Sequence, residues 1–166
     1  MVGAEALRTG SDAASLDEAF RLHQPRLVRR LALIVGDAEE AKDLAQRTFV
    51  RAAERWPLPP EQDVASWLSV VGLRLALNER RRRKVWGFVS VKETDATWAL
   101  DVDPDLWRAL ATLDRRTRAA LVLTVLDGYT QDEVAGALGV ARGTVASWLS
   151  RARDRLQPIL EENSND

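Results

Sequence analysis

The chain is 166 residues long, enough for one compact domain or two small ones, and its 24 Lys plus Arg nearly balance its 25 Asp plus Glu. That balance excludes a strong overall field toward nucleic acid, so any phosphate binding must rest on local patches. The lack of cysteine excludes disulfides and thiolate metal sites, and no apolar run reaches membrane-spanning length or resembles a signal peptide's core. A soluble, cytoplasmic protein with no membrane insertion is expected.

Residues 1–14 are small and polar without period and are expected to be disordered. Ser15-Leu-Asp-Glu18 has the form of a capping box that opens a helix with Leu16, Phe20, Leu27, Leu31 and Ile34 as apolar positions. Pro25 should kink or split that helix, and Gly36 should stop it. Asp37-Ala-Glu-Glu40 caps a second helix running to about Arg55. Its packing stripe is Ala41, Leu44, Ala45, Thr48, Phe49 and Ala52, and its other face carries Lys42, Asp43, Gln46, Arg47 and Arg51. The following Trp56-Pro57-Leu-Pro-Pro60 cannot continue a helix and predicts a rigid loop.

A third helix begins near Asp63 or Val64, with Trp67, Leu68, Val71, Leu75 and Asn78 on one side, and runs into Arg80-Arg-Arg-Arg-Lys84. Each cation at a helix C-terminus gains about 0.3–1 kcal/mol from the dipole, so the block has a structural use as a solvated helix end. Five adjacent cations still repel one another, and a polyanion is the simplest reason to tolerate that. Residues 85–103 form the linker. They are acidic in their second half, yet Trp86, Phe88, Val89, Val91 and Trp98 are too apolar for a free tether and are expected to lie in a groove of a partner or on the chain's own domains.

Asp103-Pro104 opens a short helix with Leu106, Trp107 and Leu110. Asp114 caps the next, where Ala119, Leu121, Val122, Val125 and Leu126 form an apolar stretch ended by Gly128. Thr130 to Glu133 is a second capping box, followed by Val134, Ala135 and Leu138, with Gly139 as a left-handed stop. The last helix starts near Arg142 and packs through Val145, Leu149, Ala152 and Leu156. Its opposite face holds Ser147, Ser150 and Arg151, with Arg142, Arg153 and Arg155 toward the flanks, before an acidic tail at 161–166. Short helix, Gly turn and a helix with small polar and basic residues outward is the plan of a DNA-reading helix-turn-helix; an ordinary helical hairpin has the same local pattern. No β pattern appears. The expected fold class is all-α: two small helical domains, 15–84 and 104–160, joined by a linker, the C-terminal one a helix-turn-helix.

No catalytic constellation is present. His23 is the single histidine and sits among surface-type residues, and there is neither a Gly-rich phosphate loop nor metal-ligand spacing. The chain is therefore expected to be no enzyme and to use no metal and no cofactor. Of its six tryptophans, Trp67 and Trp107 fit helix cores. Trp56 sits where it would cover the mouth of the first domain, and a platform for stacking an unpaired base is the sharper alternative for an aromatic beside a basic helix.

Placed together, the two halves resemble the extracytoplasmic-function sigma factors (group 4 of the sigma-70 family), the small two-domain class of bacterial transcription initiation factors. Gly36-Asp-Ala-Glu-Glu-Ala-Lys-Asp-Leu-Ala-Gln-Arg-Thr-Phe-Val-Arg-Ala52 is similar to that family's G-D-x-x-x-A-E-D-L-V-Q-E-x-F-x-R-A segment, and Ala65-Ser-Trp-Leu68 with Asn78 to Lys84 to its W-L…N/D…R-R-R segment. Ala109 to Arg118 and Gly128 to Arg153 resemble its A-L-x-x-L-P-x-x-x-R and E-I-A-x-x-L-G-x-x-x-G-T-V-K-S-R-L-x-R-A-R segments. The resemblance implies a factor that binds RNA polymerase core and directs initiation at promoters. It implies docking of Asp43, Leu44, Gln46, Arg47 and Phe49 on the clamp helices of the largest subunit, with a further contact to the flap. It assigns the melted −10 element to Trp67, Arg74, Asn78, Arg81 and Arg82, with loop residues Leu58 to Ser66 lining a pocket for a flipped base. The −35 element falls to Ala146, Ser147, Ser150 and Arg151, with Arg142, Thr144, Arg153 and Arg155 nearer phosphates. It also implies an anti-sigma factor as partner, and a linker occupying the polymerase channels.

Arg74 stands where the family usually has Asn, and Ala146 and Trp148 replace the cations of its K-S-R triplet. Two fewer cations mean weaker backbone anchoring and a shallower salt dependence. Trp148 lies beside the packing stripe and either packs internally or touches a thymine methyl. Asp114 replaces a usual Pro and is itself a good N-cap. Two other readings compete: a stand-alone helix-turn-helix regulator whose first domain is an oligomerisation or partner module, and an interaction module whose basic surface no longer binds DNA.

Overall fold

The computed structural model describes the backbone of residues 3–83 and 104–163, with side chains described over 16–78, 104–159 and 161–162. The linker, the acidic end of the tail and the side chains of Arg80 to Arg83 lie outside the described residues. The fold is all-α, with no strand among the described residues. Among the described residues seven α-helices follow in order: α1 (Gly3–Val35), α2 (Ala38–Glu54), α3 (Val64–Arg83), α4 (Pro104–Ala111), α5 (Arg115–Leu121), α6 (Gln131–Leu138) and α7 (Arg142–Asn163). A π-helical turn, Val122–Leu126, continues α5.

Helices α1, α2 and α3 pack on one another as a bundle. Gly36 ends α1 at φ 82°, and the Asp37 side chain accepts from the Glu40 amide to start α2, as expected from the sequence. Leu27, Leu31 and Ile34 of α1 meet Ala41, Leu44, Ala45 and Thr48 of α2 in a core closed by Leu68, Leu73 and Ala76 of α3. Gly72 marks the closest approach: a Cβ there would stand 3.2 Å from Thr48 Oγ1 and 3.3 Å from a Leu27 methyl. Asp63 caps α3 by accepting from the Ser66 amide at 2.8 Å.

For α1, the expected disorder of its start is not found, and of the two readings of Pro25 a split is excluded. The helix begins at Gly3, so residues 3–14 are helical, and Ser15 lies inside it. Ala4, Ala6, Leu7, Arg8, Ala13 and Ala14 have high helix propensity, which outweighs the polar composition. Pro25 does not divide the helix either. It is exposed, as is Arg21 one turn back, so water satisfies the carbonyl that loses its partner.

In the C-terminal half, α5 and α6 both pack on α7. The Thr130–Glu133 capping box is complete in both directions (2.7 and 3.2 Å), and Gly139 closes α6 at φ 65° with the Val140 amide reaching back to the Ala135 carbonyl. The π turn widens the end of α5, and Val125 and Leu126, at the end of the expected apolar stretch, are exposed. Helix α7 continues past Pro158 to Asn163, so the start of the expected tail is helical; a Gln157–Glu161 hydrogen bond of 2.9 Å spans the proline. The two halves also touch: α1 packs on α5 and the π turn, and α3 on α5 and α6. One buried core thus runs through both.

The cap of α5 supplies a pH-dependent test. Burial pushes the Asp114 carboxyl up, but hydrogen bonds from the Thr117 amide and hydroxyl and the Arg116 amide, with the nearby Arg151 charge, hold it below the ordinary Asp value. A depressed folded-state value stabilises the fold above the unfolded-state pKa and is lost as pH falls through the folded one. Asp114→Ala is expected to cost about 1 kcal/mol in urea unfolding at neutral pH. The gap to the unsubstituted chain should shrink progressively below about pH 4; a gap independent of pH would refute the assignment.

Candidate nucleic-acid interface

The first candidate surface is built on α7. Val145, Trp148 and Ala152 are buried against α5 and α6, which fixes the rotation of the helix and turns Ser147, Ser150 and Arg151 to solvent. Trp148 is 8% exposed and belongs to the core, so of its two sequence readings internal packing is the one observed. Leu149 and Leu156, expected in the stripe with Val145, are half-buried instead. They floor a groove of about 760 Å³ between α7 and the α5–π segment, rimmed by Ala146, Ser150 and Arg153. At about 100° per residue, Arg153 and Arg155 lie some 200° apart on opposite flanks, with Ser147 and Ser150 between them. Arg142 and Thr144 stand in the first turn, where Arg142 approaches Asp132 of α6 at 3.8 Å. Both partners of that pair are exposed, so it holds Arg142 weakly and leaves it available. Arg151 sits near enough to the N-terminus of α5 for Asp114 to feel its charge.

The second surface is an open groove of about 960 Å³ between α2 and α3. It gathers Trp67, Arg74 and Asn78 from α3 with Arg47 of α2, so four residues from two separate sequence segments share one site. Arg51 and Arg55 add charge along its α2 wall, while Val50, Val70 and Val71 supply an apolar floor. Trp67 is half-buried there, with one side packed on the core. Asp63 and Ser66 close one end; hydrogen bonds from Ser66 hold the Asp63 carboxyl below its usual range against a smaller upward push from burial, so an anion stands fixed beside the cations. Arg81 and Arg82 fall within α3 but their side chains lie outside the described residues.

On α2, Asp43 and Gln46 are exposed and Arg47 is half-buried, with Asp43 and Arg47 3.8 Å apart. Leu44 at 0% and Phe49 at 7% exposure are corrections to the expected docking set. They point inward on the α1 side, where Phe49 meets Phe20 edge-to-face at 4.8 Å, so they position the outer residues and do not reach a partner's surface. Of the loop expected to line a base pocket, Gln62, Asp63 and Ser66 reach the groove.

Sequence reasoning missed the residues that join the two surfaces. Arg115 of α5 grips Glu40 of α2 through two parallel 3.0 Å contacts and also donates to the Ala76 carbonyl of α3. Arg30 of α1 pairs with Asp127, which follows the π turn, and donates to Ser69 Oγ. Arg74 Nε donates to the Ala137 carbonyl of α6 at 2.9 Å, and the Tyr129 hydroxyl lies 3.3 Å from Ser66 Oγ. The one available signal was Glu40, a carboxylate in register with the apolar stripe of α2.

Comparison with known proteins matches residues 19–85 to Sigma-70 region 2 and residues 104–156 to Sigma-70, region 4. The ECF RNA polymerase sigma factor SigE of Mycolicibacterium smegmatis is 31% identical over 172 residues, covering 95% of this chain and 67% of that protein. The ECF RNA polymerase sigma factor SigM of Mycobacterium tuberculosis is 31% identical over 160 residues, covering 93% and 82%. Among solved structures, the sigma factor RpoE of Bartonella quintana, crystallised with the anti-sigma factor NepR, superposes with a TM-score of 0.72 at 25% identity over 89% of this chain and 97% of that one.

The packing role of Trp148 is separable from contact with a ligand. Trp148→Ala should destabilise the C-terminal helices by about 3–5 kcal/mol, whereas Ser147→Ala and Ser150→Ala should leave thermal unfolding unchanged. Circular dichroism melts of the three variants decide it; an unshifted melt for Trp148→Ala would place its indole outside the core.

Proposed function

The chain belongs to the extracytoplasmic-function RNA polymerase sigma factors, and from that premise we propose that it docks on core polymerase through the outer face of α2 and reads promoter DNA at two points. The −10 element enters the α2–α3 groove and the −35 element meets α7. The groove carries this reading. A half-buried tryptophan beside Arg74, Asn78 and a wall of arginines offers an aromatic face for an unstacked base and cations for the displaced backbone. A stand-alone helix-turn-helix regulator has no use for such a groove on a second domain, and that reading is not favoured.

On α7, the order of side chains around the helix supports the division between base and phosphate contacts. Ala146, Ser147, Ser150 and Arg151 occupy the centre of the outward arc; Arg142, Thr144, Arg153 and Arg155 lie on its flanks, where the phosphate walls of a major groove stand. With Ala146 and buried Trp148 in place of cations, the helix grips the backbone through few charges and relies on polymerase to hold it in position. Asp43, Gln46 and Arg47 supply the clamp-facing contacts, and the C-terminal domain meets the flap. An anti-sigma factor is the natural negative partner, since the RpoE chain of similar fold was solved with one.

Purified protein added to core polymerase should form a stable complex and confer start sites on a promoter library; no complex and no start on any template would refute the reading. Gln46→Ala combined with Asp43→Ala should weaken core binding about tenfold, roughly 1.4 kcal/mol, with the melting temperature unchanged. Arg151→Ala should reduce use of particular −35 sequences by about 1–3 kcal/mol each. An equal loss on all sequences would show that Arg151 contacts phosphate alone.

A further inference from the structure

Among the described residues, the α2–α3 groove gathers four arginines, Arg47, Arg51, Arg55 and Arg74, which suit a phosphate backbone, and two carboxylates, Glu54 and Asp63, which oppose one. Glu54 is exposed in the last turn of α2. Asp63 is held in place: it accepts from the Ser66 amide at 2.8 Å and so starts α3. Capping accounts for that oxygen but not for its charge. Serine or asparagine caps a helix as well as aspartate does, without repelling the backbone that the arginines attract, and the helix dipole favours the anion only modestly. Hydrogen bonds from the Ser66 amide and hydroxyl, with a lesser contribution from the charge of His23, keep the carboxyl ionised below its usual range against the push from burial.

The place of that charge is set by helical spacing. Asp63, Trp67, Val70, Arg74 and Asn78 all line the groove, and at i, i+4, i+7, i+11 and i+15 they form one stripe down α3. Read along the stripe, an acceptor comes first, then an aromatic face, an apolar floor and a cation. The carboxylate stands one turn from the indole, about 6 Å along the axis, within reach of the edge of a base stacked on Trp67. Resting on the −10 reading above, we infer that Asp63 decides which base the groove accepts: one that turns an exocyclic amine toward it (adenine, cytosine or guanine), with thymine rejected.

The chemistry is that of an acceptor with nothing to donate. An ionised carboxylate only accepts hydrogen bonds. A base taken out of its stack is read on its Watson–Crick edge, and there adenine, cytosine and guanine each carry an amine that donates to a carboxylate. The edge of thymine carries two carbonyl oxygens around a single ring N–H, so a carboxylate facing it meets oxygen of like polarity. The arginines attract every strand alike, since phosphate contacts carry no sequence information. Asp63 lowers that common affinity, and only an amino base offsets the loss. Discrimination therefore comes from repulsion of the wrong base as much as from attraction of the right one.

Single-stranded oligonucleotides spanning the −10 segment, titrated by fluorescence anisotropy against the full chain bound to core polymerase, test this. The captured position is the one where an abasic site weakens binding most with the unsubstituted protein and least with Trp67→Ala. At that position thymine should bind about tenfold more weakly than the best amino base. Deleting the amine alone, with purine in place of adenine or a pyrimidinone in place of cytosine, should weaken binding by a similar factor. Asp63→Ser keeps a cap and should keep the thermal melt, yet discrimination should fall to about twofold, chiefly because strands with thymine bind more tightly. A carboxylate that only caps α3 predicts the opposite, a shifted melt with unchanged base choice. Thymine bound as tightly as an amino base, amine deletion without effect, or undiminished discrimination in Asp63→Ser would overturn the inference. If no complex with core polymerase forms, the sigma reading fails. The same strands titrated against the free chain then decide base choice, and absence of binding there overturns the inference as well.

Discussion

The carboxylate of Glu40 and the guanidinium of Arg115 meet in parallel between two helices that begin at opposite ends of the chain's core. Both residues stand in the first turn of their helices, and both positions are set by a capping aspartate, Asp37 for α2 and Asp114 for α5. The caps fix where each helix starts, the starts fix the two side chains, and the side chains fix how the halves meet. Because both groups are withdrawn from water, removal of either leaves an uncompensated charge, which typically costs several kcal/mol; the intact pair contributes much less. The contact therefore specifies an arrangement more than it stabilises one. Arg30 and Asp127 repeat the logic at the other end of the interface, where the π turn and Gly128, at φ 72°, bring Asp127 round to α1.

The same division between inward and outward faces builds the functional surfaces. On α2 the buried stripe of Ala41, Leu44, Ala45, Thr48 and Phe49 is what holds Asp43, Gln46 and Arg47 outward. On α7 the indole of Trp148 does for Ser147 and Arg151 what Leu44 and Phe49 do on α2. A residue at a signature position thus need not touch a partner. Leu44, fully buried, contributes by fixing the rotation of its neighbours.

Much of this was legible in the sequence because it depends on neighbours within a helical turn. The Thr130–Glu133 box, the Gly36 stop, the left-handed Gly139, the Asp37 and Asp114 caps and the stripe of α2 are all local, and each appears in the structure. The misreadings share a cause. Pro25 looks like a break from local rules, but its exposed position lets solvent replace the missing hydrogen bond. Val125 and Leu126 belong to a continuous apolar stretch in the sequence, yet both lie in the π turn and are exposed. The ion pairs between the halves join residues 75 and 97 positions apart, a separation at which no periodicity carries information. The candidate site shows the same split: the membership of the α7 face was visible, whereas the convergence of Arg47 with Trp67 and Arg74 was not.

The near-zero net charge now acquires a physical sense. A strongly cationic chain would bind DNA without polymerase and would do so nonspecifically, since counterion release rewards every phosphate contact alike. Here the cations are distributed among three uses: Arg115 and Arg30 are neutralised in buried pairs, Arg74 is held by a backbone carbonyl, and those on the outer arc of α7 remain toward solvent. In a balanced chain of this kind, specificity for a polyanion arises from where charge is uncovered, and the helix caps that position the buried pairs are part of how that is set.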